Sequence, residues 1–167
     1  MADIIELIYA DHDWLRRNFF YLDDAKTDEE LAAIWEPLAL RLDTHAEAEE
    51  TVFYPALLQK GDSGDPKDET EDAIDDHNAI RDAVREAGKH QVGSHEWFEA
   101  VGKARSENGE HLDEEEREAL PDFIKSASLE MRHELAMKWH RFYAQHPAGK
   151  DIDTSDKNAD EYIAENS

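Results

Sequence analysis

Along most of this chain the apolar side chains return every three or four positions, the interval that brings residues back to one face of an α-helix. Ile4, Ile8, Leu15, Phe19 and Leu22 form the first stripe, and Leu31, Ile34, Leu38, Leu42 and Val52 the second. A third runs through Ile74, Ile80 and Val84, and a fourth, poorer in large apolar groups, through Trp97, Val101 and Ala104. Leu129, Leu135, Trp139 and Phe142 mark a further amphipathic helix from about Ser126 to Gln145. Thr27-Asp28-Glu29-Glu30 has the form of a capping box that starts the second helix. Gln59 to Pro66 reads as a loop by composition, and Gly93-Ser94 as a turn. Pro37 is expected to kink the second helix near its start, and Pro55 to end or bend it. The pattern predicts an all-α fold.

The stripes are interrupted in a regular way. His12, His45, Glu49, His77, His111 and Glu115 each stand where a leucine is expected. The interruptions repeat: Asp11-His12-x-x-x-Arg16 is echoed by Asp76-His77-x-x-x-Arg81, and His45-x-x-x-Glu49 by His111-x-x-x-Glu115, each followed six residues on by Pro55 or Pro121. The copies are offset by 65 residues at the first histidines and 66 at the second. Internal repetition of this kind implies two similar helical hairpins packed around a pseudo-twofold axis between the histidines.

Residues four apart on a helix are separated by about 400° of rotation, so each His-x-x-x-Glu pair shares a face one turn apart. Alone such a pair is a weak signal. Four histidines on four helices, with two carboxylates beside them, are a stronger one, because buried imidazoles need partners and buried carboxylates need a cation. One shared metal centre satisfies all six. His90, His95, His133, His140 and His146 lack the repeated context and are expected at the surface. Glu50 and Glu116 lie five residues past the histidines, about 140° round the helix, and are expected to face solvent or to support the ligands. Arg16 and Arg81 can each pair with a buried carboxylate or point to water.

Composition narrows the function classes. The chain has 167 residues, no cysteine and a formal net charge of −24, with a pI near 4.5. One domain with its own core is expected, without disulfide or thiolate chemistry. Phosphate backbones are unsuitable partners for so acidic a surface, which excludes nucleic acid. The opening MADIIELIYADHD lacks the form of a secretion signal, and no stretch approaches a membrane span, so a soluble cytoplasmic protein is expected. The polar, acidic residues after Pro147 are expected to be a loose tail, with Tyr162 and Ile163 able to form a short docking turn.

The pattern of His12, His45-x-x-x-Glu49 with Phe53-Tyr54-Pro55, His77, and His111-x-x-x-Glu115 with Leu120-Pro121 resembles the hemerythrin-like, or HHE cation-binding, family over about residues 1–125. The resemblance implies an up-and-down four-helix bundle holding two oxo- or hydroxo-bridged non-haem irons, with Glu49 and Glu115 bridging and His12, His45, His77 and His111 as terminal ligands. Residues 1–147 would then be the metal-binding bundle with its extra C-terminal helix, and 148–167 the flexible tail. The chain departs from the oxygen carriers of this family at two places. Its third helix has Arg81 where a second histidine would fall, and its last carboxylate is Glu115, four after His111, where those proteins have an aspartate at five. Both departures weigh against reversible oxygen carriage.

Four histidines and two carboxylates leave two octahedral irons short of full coordination, so oxygen, peroxide or nitric oxide could bind. The leading expectation is a di-iron protein of such ligands, with catalase-like turnover of peroxide and no catalytic side chain beyond the metal ligands. The other is a non-enzymatic iron or oxygen sensor, or an iron reservoir, acting through a protein partner. Imidazole and carboxylate also accept manganese or zinc. Tyr54 breaks the repeat, its counterpart being Leu120. On an ideal helix it lies about 180° from His45, but Pro55 can swing the last turn inward, which makes Tyr54 a candidate ligand or a donor to the bound species.

Overall fold

The computed structural model describes residues 1–61 and 63–167, so Asp62 of the predicted loop lies outside the described residues. The elements are α1 (Ile4–Asp24), α2 (Asp28–Ala48), a π-helical segment (Glu49–Phe53), α3 (Tyr54–Lys60), α4 (Pro66–Ala87), α5 (His95–Arg117), α6 (Ala119–Ser126), α7 (Leu129–Gln145), a 3₁₀ turn (Pro147–Gly149) and α8 (Ala159–Asn166). The fold is all-helical, with no strand among the described residues. Contacts run from α1 to α2, α2 to α4, α4 to α5 and α5 back to α1, closing a ring. No helix among the described residues is long and apolar enough to cross a membrane.

Helix starts follow local chemistry. Asp3, Thr27, Asp65, Ser94, Ser128 and Asn158 each accept a hydrogen bond from an amide of the following first turn, which satisfies donors that a helix cannot satisfy itself. At Thr27 the capping box is only half made: its hydroxyl accepts from the Glu30 amide, but the Glu30 carboxylate accepts from the Lys26 amide at 2.6 Å. Gly93, at φ 82°, makes the turn before α5 in a conformation that L side chains rarely adopt. α2 runs on through Pro37 without a break.

Pro55 has a larger effect. The Tyr54 amide donates to the Glu49 carbonyl, five residues back, so the helix opens into π register just where the second repeat element ends. The next amide in that register belongs to Pro55 and carries no hydrogen, which leaves the Glu50 carbonyl without an intrahelical donor. The Tyr162 hydroxyl supplies one at 2.6 Å. The tail expected to be loose is therefore packed: α8 lies on α3 and α4, and Tyr162 is buried. The physical reason is this backbone vacancy, which a polar tail with one aromatic residue can fill. In the second half the same stress breaks the helix at Glu118, and α6 starts anew.

The core is split in two. Ile4, Ile8, Phe53, Leu57, Ile74, Leu120 and Phe123 belong to one cluster, covered by Leu135, Trp139 and Phe142 of α7. Leu15, Phe19, Trp35, Leu38, Leu42, Ile80 and Trp97 belong to the other. Along α1, α2 and α4 the interrupting histidines fall between residues of the first cluster and residues of the second, and on α5 His111 follows second-cluster residues while the first cluster resumes at Ala119 of α6, so a polar layer is sandwiched between two apolar ones.

Trp97 and Phe98 separate core from surface at adjacent positions: Trp97 is buried with its ring 5.9 Å from that of Trp35, while Phe98 is half exposed. Trp97→Ala is expected to cost about 3–5 kcal/mol of unfolding free energy, and Phe98→Ala about 0.5 kcal/mol or less. Urea denaturation of both variants checks this, and similar losses would place the second cluster elsewhere.

Candidate metal centre

The polar layer contains all six residues singled out by the repeat. His12, His45, Glu49, His77, His111 and Glu115 are each no more than 4 % exposed. Their inward atoms converge. Glu49 lies 3.0 Å from His45 Nε2 and 3.7 Å from His12 Nε2 through Oε1, and 3.2 Å from His77 Nε2 and 3.5 Å from His111 Nε2 through Oε2. Two groups with cation-binding spacing result, His12–His45–Glu49 and Glu49–His77–His111, and Glu49 is common to both. Glu115 is placed differently. Its Oε2 is 3.1 Å from His12 Nε2, but its Oε1 accepts a hydrogen bond from the Tyr54 hydroxyl at 2.9 Å.

The outward nitrogens explain the orientation of the rings. His12 Nδ1 is 2.7 Å from Glu116, and His77 Nδ1 is 2.8 Å from Glu50. His45 Nδ1 and His111 Nδ1 face Asp11 and Asp76 more loosely, at 3.4 and 3.5 Å. An ionised carboxylate only accepts, so it favours the proton on Nδ1 and turns the lone pair of Nε2 inward, the arrangement found behind metal-binding histidines. The repeat thus carries its own support. The aspartate before each first histidine faces the second histidine of the same half, and the glutamate after each His-x-x-x-Glu crosses to the first histidine of the other half. The arginines complete it: Arg16 Nη1 is 2.6 Å from Glu116, and the buried Arg81 has Nη2 2.8 Å from Glu50. Arg81 therefore points at the supporting carboxylate and not at the centre.

The donor set fits a cation. His12 Nε2, His45 Nε2, Glu49 Oε1 and Glu115 Oε2 are buried without a hydrogen-bond partner, a costly state for four polar atoms unless a common ligand satisfies them. Protons stand in for the cation. Burial alone would lower the histidine pKa values, but Glu115, Glu116 and Glu49 raise His12 well above its usual range, and Asp76, Glu49 and Glu115 raise His111 to about 10. Burial works to raise the Glu49 carboxyl, and His45, His111 and His12 overcome it and hold it well below the usual range. Burial, reinforced by Glu115 and Glu49, pushes the Tyr54 phenol well above its usual range, so it keeps its proton and donates it.

A small cavity of about 20 Å³ reaches the layer from the surface beside Tyr54, His111 and Glu115, room for about one water-sized molecule. Its mouth is acidic, with Glu69, Asp72, Asp76, Glu114 and Glu118 around it. Burial and the nearby Asp122 and Glu118 push Glu69 up to about 7. The other side of the layer is closed by α7: Trp139 packs its ring 5.9 Å from that of His45, and the Tyr143 hydroxyl donates to Asp11 at 2.6 Å. None of His90, His95, His133, His140 and His146 is buried or joins either group.

A helical bundle with two carboxylate–imidazole clusters sharing one buried glutamate defines a cation-binding helical protein. The family model for the hemerythrin HHE cation binding domain matches residues 3–123, and the chain belongs to that family. No curated protein and no solved structure matches it. The segment carrying α7 and α8 lies beyond the matched residues.

A metal-free chain should show the protonation described above in its stability. His111 has its folded pKa raised from 6.5 to about 10, so its contribution is complete below about 6.5 and is lost as pH climbs towards 10. The depressed Glu49 acts in the opposite range, its contribution present above 4.5 and lost as pH falls. The metal-free melting temperature is therefore expected to fall between about pH 6.5 and 10, and uptake of a divalent metal at pH 7 to release protons. Calorimetry in buffers of different ionisation enthalpy measures the release; uptake without protons would show that the histidines are neutral beforehand.

Proposed function

We propose that this protein is an up-and-down four-helix di-iron protein that binds small neutral ligands derived from oxygen or nitrogen oxides and turns over peroxide in a catalase-like reaction. The observation that carries this reading is Glu49, a fully buried carboxylate whose two oxygens face two separate pairs of imidazoles. A single-metal site has no use for the second pair. His12 and His45 would hold one iron, His77 and His111 the other, Glu49 both, and Glu115 would join from the His12 side. When bound, such an iron pair supplies exchangeable electrons and open coordination positions for a small ligand.

The chain's own residues decide what reaches the pair and what protons are available. The narrow cavity admits molecules of a few atoms, and its acidic mouth disfavours anions while leaving neutral peroxide, oxygen and nitric oxide unopposed. Tyr54 stands at the inner end of that path with its hydroxyl donating to Glu115 Oε1. We assign it as a proton-bearing donor that fixes Glu115, not as a phenolate ligand. The apolar clusters above and below the layer exclude further water from the centre.

Metal analysis of the purified holo-protein is expected to give two irons per chain, with peroxide disappearance that is lost in the metal-free form. Glu49→Ala should lose both irons and Glu115→Ala should keep a larger share, whereas His90→Ala and His140→Ala should keep both. One iron per chain in the unmodified protein would overturn the paired reading. Ferric protein without a phenolate charge-transfer band that Tyr54→Phe removes would match the donor role assigned to Tyr54; such a band would make it a ligand. Azide is expected to bind slowly at low salt and several-fold faster in Asp72→Asn/Glu118→Gln. Equal azide rates in both proteins would show that ligands enter elsewhere.

A further inference from the structure

The supporting carboxylates of the two halves are not held alike. Glu116 pairs with Arg16 and remains partly exposed, its side chain at 23 %. Glu50 is buried, its side chain at 1 %, and beyond Arg81 it meets a second cation, Lys157, whose Nζ contacts Glu50 and lies 2.5 Å from Glu47. Lys157 comes from the C-terminal segment, outside the residues that the family model matches.

That ammonium is placed by several independent contacts. Its own backbone is clamped by Asn78, one residue past His77: the Lys157 amide donates to Asn78 Oδ1 at 2.9 Å, and Asn78 Nδ2 donates to the Lys157 carbonyl at 2.8 Å. Arg85, two turns further along α4, donates to the Thr154 carbonyl and pairs with Asp156. Immediately afterwards Asn158 caps α8, which brings the Tyr162 hydroxyl to the Glu50 carbonyl exposed by Pro55. The same residue, Glu50, is thus gripped at its side chain by Lys157 and at its backbone by Tyr162.

We propose that Lys157 and Tyr162 are positioning residues of the metal centre, acting through Glu50 to hold His77 with its Nε2 turned inward; this rests on the metal reading given above. Electrostatics gives the reason that Arg81 does not suffice. Glu47 and Glu50 face one another beside it, and Arg81 Nη2 is shared between them at 3.5 and 2.8 Å. With Lys157 the two carboxylates face two cations. Without it, one guanidinium serves both carboxylates, and water can reach the acceptor of the His77 Nδ1 proton. His77 then loses the fixed partner that sets its tautomer.

The test uses the full chain with Lys157→Met, Lys157→Arg and Tyr162→Phe, and Lys150→Met as a control, since Lys150 is an exposed lysine whose nearest carboxylate, Asp151, is 3.9 Å away. Two readouts are taken. In metal-free protein, nitrogen-15 NMR of the imidazoles is expected to show a slowly exchanging His77 Nδ1 proton that exchanges at least tenfold faster in Lys157→Met. In iron-loaded protein, a chelator should remove metal from Lys157→Met at least tenfold faster, with a changed ferric spectrum; Lys157→Arg should restore both properties and Tyr162→Phe should show a smaller change in the same direction. Exchange and spectrum unchanged in Lys157→Met would overturn the proposal, as would equal effects in Lys150→Met. Should the unmodified chain take up no iron, the metal reading fails, while the His77 exchange in metal-free protein still decides the role of Lys157.

Discussion

The constraint on which this structure depends is the burial of acidic and basic groups at mid-height in a helical bundle. Six ionisable side chains lie between two apolar clusters, where an isolated charge costs several kcal/mol or more. Every neighbouring choice answers that cost. Carboxylates stand behind the imidazoles, arginines stand behind two of those carboxylates, and four of the innermost atoms, on His12, His45, Glu49 and Glu115, still lack partners. A layer with unpartnered lone pairs at its centre and paired charges at its rim is built to receive a cation, and the excess of acid over base on the rest of the chain does not enter that account.

The main lines of this arrangement were legible in the sequence because helical spacing is local. Two motifs repeated at a common offset, each with polar residues on an otherwise apolar stripe, are enough to predict the helices, their inner faces and the six central residues. The supporting carboxylates were less legible for a geometric reason. Glu50 and Glu116 sit about 140° round the helix from the histidines of their own element, so their duty becomes visible only when the facing helix brings His77 or His12 to them. Asp11 and Asp76 were present in the repeated motif, but a residue adjacent to a buried histidine on an ideal helix gives no sign of which neighbouring ring it faces.

The C-terminal segment was the part least readable, and its failure is instructive. Polar, acidic composition predicts a loose tail when its own burial is considered. Its ordering follows from demands set more than a hundred residues earlier: a proline that leaves one carbonyl unfilled, and two glutamates short of a cation. Only Tyr162 and Ile163 hinted at docking, and nothing in the local sequence identified Lys157 as a partner of Glu47 and Glu50. Long-range pairing of this kind has no period to detect.

The departures from exact repetition then acquire a common sense. Pro55 opens a π turn with Tyr54 turned inward, whereas Pro121 follows an outright break and is preceded by Leu120, so only one half contributes a phenol. That phenol occupies one oxygen of Glu115 and leaves Glu49 as the carboxylate shared by both imidazole pairs. The half that gains Tyr54 also needs Tyr162 to close its backbone, and the chain that delivers Tyr162 delivers Lys157 as well. Tyr54, Asp76, His111 and Glu115 line the cavity open to solvent. A single proline thus gives one half of a pseudo-symmetric layer a clamp from the C-terminal segment while the layer keeps a narrow path to solvent, an arrangement suited to holding a cation within reach of small molecules.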